Sequence, residues 1–176
     1  MNWTVTKVYD PATQAKALES AGFKAYMFAQ EQSIAGGTYE NWVTRASVMT
    51  ALESGDLSFL SKAAVGDGGV GITINGGTAG DANAGGATAF SNGGGVDNIV
   101  KAFVVVFNGD STYALVSEVL ENPINSMGAS DGITAEFSTA TKQYSNWTQV
   151  GAIPEPTSGL LLLLGVAGLA LKRRRV

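Results

Sequence analysis

Residues 101–119 read KAFVVVFNGDSTYALVSEV. Two runs rich in β-branched and aromatic residues flank Asn108-Gly109, a favoured hairpin turn pair. This predicts two antiparallel strands folded back on one another. The unbroken Val104–Val106 run has no polar position to turn to water, so the first strand is expected to be buried on both faces. Further strands are expected on either side. Residues 132–138, GITAEFS, and 146–150, NWTQV, follow the hairpin; residues 3–9, WTVTKVY, and 23–29, FKAYMFA, precede it. Their alternation and β-branched content suit a sheet. Short helices are expected over Pro11–Ala21, with Asp10 as N-cap and Gly22 as stop, and over Thr44–Leu52, ending near Gly55. Leu57–Val65 fits a strand or a helix equally. The expected fold is therefore mainly β: a small antiparallel, sandwich-like domain over residues 1–150 with one or two short helices.

The interval Gly66–Gly95 is different in kind. It holds twelve glycines in thirty residues and few side chains that can pack, so it reads as a glycine-rich loop over 66–95, with GITI at 71–74 as one short strand. A sharper alternative is a calcium site using Asp67, Asp81 and Asp97. Their spacings of 14 and 16 fit no nonapeptide repeat. A phosphate-cradling loop is excluded, because no lysine falls between Lys62 and Lys101.

Composition narrows the chemistry. The 176 residues contain no Cys and no His. Thiolate chemistry, a Ser-His-Asp triad and a His-ligated metal site are thus all ruled out. Charge is unevenly placed. Residues 1–171 carry all 15 acidic residues and 7 of the 11 basic ones, for 7 − 15 = −8. An acidic body argues against nucleic acid as a partner. The other four basic residues are consecutive: Lys172, Arg173, Arg174 and Arg175. No cofactor is implied.

Those cations follow an apolar run. Leu160 to Leu171 reads LLLLLGVAGLAL, twelve residues without a polar side chain. As a helix it is about 18 Å long, against a bilayer core of about 30 Å. Including Thr157-Ser158-Gly159 and letting the basic side chains reach to the interface lengthens it. A buried core helix would not be leucine on every face. The expectation is a transmembrane helix over 160–171 and a basic cytoplasmic tail over 172–176, oriented by the positive-inside rule. Upstream, in the linker 151–159, stands Ile153-Pro154-Glu155-Pro156-Thr157. Two prolines around one glutamate keep the segment extended and exposed, which is how a processing enzyme grips a peptide.

Pro154, Glu155 and Pro156, the leucine-rich run and Lys172–Arg175 together resemble the PEP-CTERM sorting signal of Gram-negative bacteria. The resemblance spans about 25 residues and says nothing of the fold upstream. It implies a partner, an integral-membrane exosortase that recognises the signal and removes the tail. It also implies a product released or attached at the cell surface, often where exopolysaccharide or biofilm is made. An exported chain is expected to begin with a charged and then an apolar segment. Met1–Val8 provides neither, so a signal peptide is expected upstream of this sequence; insertion by the tail alone is the disfavoured option.

The expected protein is then a non-enzymatic, exported surface or matrix protein with a structural, adhesive or biofilm-associated role and extracellular polysaccharide as a candidate ligand. One alternative is a single-pass anchored protein that is never processed. The other is a small extracellular carbohydrate-active enzyme using two carboxylates about 5–9 Å apart, for which Glu118, Glu121 and Glu136 are available.

Overall fold

The computed structural model of the chain describes residues 2–17, 21–33, 42–63, 72–73, 75–76, 82–87, 98–124, 133–137 and 139–151. Its strands are β1 (Asn2–Thr6), β2 (Lys24–Ser33), β3 (Ile72–Thr73), β4 (Asn75–Gly76), β5 (Ala82–Ala87), β6 (Asn98–Phe107), β7 (Tyr113–Val116), β8 (Leu120–Ile124), β9 (Ile133–Glu136) and β10 (Thr148–Gln149). They form two sheets. The larger runs β10-β7-β6-β2-β3, with β8 also paired to β6; the smaller runs β4-β5-β1-β9. Among the described residues, one α-helix, α1 (Arg45–Ser54), packs beside them.

The β2–β6 pair is the spine. It extends from Lys24↔Phe107 to Ser33↔Ile99. Ala102 to Val106 are fully buried, as a run without polar alternation requires when both faces are covered. Phe28 stacks on Phe103 at 5.5 Å and tilts against Phe59 at the same distance. One continuous apolar cluster joins these residues to Trp3 and Val5 of β1 and to Ile133 and Ala135 of β9. Burying side chains of this size contributes roughly 1.5–3 kcal/mol each.

Two bulges shape the larger sheet. Register shifts between Ala29 and Glu31, leaving Gln30 as the extra residue of β2. Its side-chain carbonyl then accepts the Arg45 N–H at 3.0 Å, and the Ala29 carbonyl accepts Val43 N–H at 3.1 Å. The second bulge lies between β7 and β8, which follow one another along the same edge of β6. Val105 pairs with Val116 and Ala102 with Leu120, so Ser117, Glu118 and Val119 face only Phe103 and Val104. Extra residues of this kind bend the strand and leave backbone groups to satisfy. Ser117 handles this locally: its hydroxyl accepts Val104 N–H at 2.9 Å and donates to Glu118 O at 2.8 Å.

α1 begins and ends as its sequence predicts. The Thr44 hydroxyl accepts Ser47 N–H at 3.1 Å, and Gly55 closes the helix at φ 76°. Only Val48 and Leu52 of the helix are buried. Of the ambiguous 57–65 stretch, residues 57–63 are described, and Ser58–Lys62 form a 3₁₀ turn with Phe59 inward.

Four expectations need correction. The helix expected at Pro11–Ala21 is absent from residues 11–17. Asp10 instead closes a turn, with its carboxylate accepting Ala12 N–H and the Thr13 hydroxyl. The chain then reverses at Gln14, φ 57°, and returns beside Tyr9 and Val8 through Tyr9↔Lys16 and Ala17 N–H to Val8 O at 3.1 Å. A single short helix with little apolar face gains less than this ladder does. Next, the hairpin forms, but Asn108-Gly109 are not the two central residues of a primed turn. Neither has positive φ. The Asn108 carbonyl accepts Ser111 N–H at 3.0 Å, Ser111 takes the left-handed position at φ 59°, and the Asn108 side-chain oxygen accepts Tyr113 N–H at 2.8 Å. Glycine is needed at 109 for another reason: a Cβ there would lie 1.8 Å from the Ala21 carbonyl oxygen. Third, the sheets are not wholly antiparallel, since β1 pairs parallel with β9 from Trp3↔Ile133 to Thr6↔Glu136. Finally, the glycine-rich interval holds more strand than the expected one at 71–74, where β3 falls. β5, ANAGGA, fills the other side of β1 from Asn2↔Ala87 to Val5↔Ala84.

Candidate functional site

The sequence-predicted sorting residues Pro154, Glu155, Pro156, Lys172, Arg173, Arg174 and Arg175 lie outside the described residues, as does the apolar run 160–171. Among the described residues no helix is long and apolar enough to cross a membrane. The structure does fix where the chain leaves the domain. Trp147 is buried, donates its indole N–H to Thr141 O at 2.7 Å and meets Phe23 edge-on at 6.0 Å. β10 then pairs with β7 through Thr148↔Ala114 and Gln149↔Tyr113. Val150 N–H donates to Thr112 O and Gly151 N–H to Leu52 O, each at 2.8 Å. The last bond adds a second donor to a carbonyl in the final turn of α1, which also accepts Gly55 N–H at 3.1 Å. Gly55 and Gly151, at φ 76° and 67°, meet backbone to backbone. A Cβ on Gly55 would stand 3.1 Å from Gly151 Cα. Residues 147–151 are thus clasped to the domain up to the residue before the tail segment.

A separate cleft of about 470 Å³ opens where α1, the Ser117 bulge, β9 and the 139–148 segment meet. Arg45 organises it. Its Nε–H donates to Ser117 O at 2.7 Å and its Nη2 reaches Glu118 Oε1 at 3.2 Å. The guanidinium satisfies a carbonyl that the bulge releases from the sheet, while Glu118, 87% exposed, adds little to the pair. Sequence reading gave Arg45 no role, because its partners lie 72 and 73 residues away and no local motif announces them.

The structure brings two of the three candidate carboxylates together: Glu118 and Glu136 both line this cleft. Each is held in an ion pair, Glu118 with Arg45 and Glu136 with Lys7. Glu121 is not among the cleft's lining residues and pairs with Lys101 at 3.4 Å. The proposed calcium ligands Asp67, Asp81 and Asp97 lie outside the described residues. Among those described, no three carboxylates are grouped to hold a metal ion.

Comparison with known proteins locates the informative part of the chain. No curated protein and no solved structure matches it. A family model described as the PEP-CTERM protein-sorting motif matches residues 152–175. The match begins at the residue after the clasp and takes in the Pro-Glu-Pro triplet, the apolar run and the four cations. Residues 152–175 of this chain are accordingly a PEP-CTERM protein-sorting motif, the mark of an exported protein processed by an exosortase.

Proposed function

We propose that residues 1–150 form a sandwich-like extracellular domain without catalytic activity, delivered to the cell surface or matrix for a structural, adhesive or biofilm-associated role. The observation that carries this reading is the sorting motif directly behind a folded β domain. In it, Pro154-Glu155-Pro156 is the recognition element, Leu160–Leu171 the membrane helix and Lys172–Arg175 the cytoplasmic stop. A twelve-residue apolar run is marginal as a permanent anchor but adequate to present a peptide to a membrane enzyme. Extracellular polysaccharide is the proposed ligand class.

The test is the mass of the surface-exposed product from a precursor with a functional signal peptide, made with and without an exosortase. Tail loss only with the enzyme is expected. Changing Pro154, Glu155 and Pro156 to alanine should leave insertion intact and block tail removal. Retention of the tail in both hosts would make the chain a plain single-span anchor. A second reading, a carbohydrate-active enzyme, draws on Glu118 and Glu136 lining one cleft. Polysaccharide hydrolysis by the isolated product, lost in Glu118→Gln or Glu136→Gln, would favour it over a structural role.

A further inference from the structure

The clasp around Gly151 sets how far the folded domain can stand from its own sorting motif. Gly151 is bonded to Leu52 O and packed on Gly55. From Gly151 to Pro154 there are three residues, at most about 10 Å of extended chain; to Leu160 there are nine, at most about 32 Å. Loosening this tether means more than swinging a linker. The bonds of Gly151 and Val150 must break, then the β10 rungs, and Trp147 blocks further peeling because its ring is buried.

An enzyme that grips an extended peptide at Pro154-Glu155-Pro156 therefore has only Ala152 and Ile153 between its entrance and folded protein. Contact with the domain is forced, and the clasp decides which face makes it. That face carries the C-terminal end of α1 at Ser54–Asp56, the turn 108–112, whose Thr112 carbonyl holds Val150, and Gly151 itself. The opposite end of β6 lies far from it. Lys101, paired with Glu121, is six rungs below Phe107, roughly 20 Å along the strand.

Resting on the sorting reading, we propose that this face, Ser54–Asp56 with the 108–112 turn around Gly151, is the surface the domain docks against the outer side of the membrane-embedded processing enzyme. The Gly55–Gly151 clasp holds it there in one orientation. The domain is thus presented as a rigid body with a defined end toward the enzyme, and the motif is not offered on a free tether.

The chain has no cysteine, so single reporters can be placed without background. Ser54→Cys and Glu121→Cys, both at exposed positions, are made in the full precursor. Each is labelled with a benzophenone maleimide in membranes containing the enzyme and irradiated. The label at position 54 should give an adduct with the enzyme at least fivefold more often than the label at 121. Inserting eight Gly/Ser residues between Gly151 and Ala152, with folding checked by an unchanged melting temperature, should reduce that ratio to near one. Equal adducts from the two positions, or a ratio that survives the insertion, overturns the proposal. So does an absent adduct at 54 while the tail is still removed, and that result leaves the sorting reading standing. A tail that stays on in the presence of enzyme, with no adduct from either position, removes the sorting reading and the docking face together.

Discussion

Gly109→Ala separates two explanations of one glycine. In an exposed turn where φ is not positive, adding a methyl group restricts the unfolded chain and stabilises by about 0.4–1 kcal/mol. Gly109 is exposed and its φ is negative, so backbone preference alone predicts a gain. The packing predicts the reverse. The new Cβ would fall 1.8 Å from Ala21 O and 3.0 Å from Ala21 C, whereas a comfortable carbon–oxygen contact is about 3.3 Å. One segment must move by about 1.5 Å. The turn cannot yield cheaply: Asn108 holds it through bonds with Tyr113 and Ser111, the Thr112 carbonyl is tied to Val150, and Phe107 before it is buried. Overpacking against fixed structure costs about 1–3 kcal/mol, and at this overlap the upper end applies. For a domain of this size the melting temperature should fall by about 6–12 °C. The assay is thermal unfolding followed by circular dichroism, with urea titration for the free energy. An unchanged or raised melting temperature would refute the close approach of the 21–22 and 108–112 segments.

Three further outcomes are expected. Arg45→Ala should cost about 1–2 kcal/mol in urea unfolding, because the Ser117 carbonyl loses a charged donor, while Glu118→Ala should cost under about 0.5 kcal/mol, as suits an exposed partner. Asp56 and Asp110 have carboxyls held below their ordinary 3.8 by hydrogen bonds, first from the Ser58 N–H for Asp56 and from the Thr112 hydroxyl for Asp110. A depressed folded value means the stabilisation is complete above the unfolded value and is lost as pH falls below 3.8; Asp56→Asn with Asp110→Asn should flatten the acid limb of a stability-against-pH curve, and an unaltered limb would contradict the assignment. In hydrogen exchange, the backbone of Ala82–Ala87 should be protected along with β1, its ladder partner; exchange at loop rates there would rule out that pairing.

The sequence was most informative where a signal is local. Thr44 and Gly55 bound α1 because capping acts within one turn, and Val104–Val106 announces a doubly covered strand by lacking polar alternation. It was least informative where the deciding partner is remote. Asp10-Pro11 is a sound helix start, yet the backbone of Tyr9 and Val8 offers the same residues a ladder, and local propensity carries no record of that competition. Gly109 looks like a turn glycine until Ala21 is seen against it. ANAGGA has almost no β propensity of its own; it is a strand because β1 leaves one side open. The site divides in the same way. The tail was legible as a contiguous order of parts, whereas the clasp at Gly151 and the Arg45–Ser117 contact join residues about 70 to 100 positions apart.

The parallel pairing of β1 with β9 bears on how the chain reaches its destination. Thr4 and Thr134 are hydrogen-bonded at 3.0 Å across a separation of 130 residues. β1 emerges well before β9 and waits for it, and closing so large a loop is slow. Until residue 136 has crossed the membrane, the smaller sheet lacks an edge, and Trp3 and Val5 have nothing from β9 to cover them. A chain threaded through a translocation pore must stay unfolded while it moves. Placing a sheet-closing partner that far behind delays completion of the fold until residue 136 is through, at the cost of the apolar face of β1, Trp3 and Val5, left open to chaperones or to aggregation in transit.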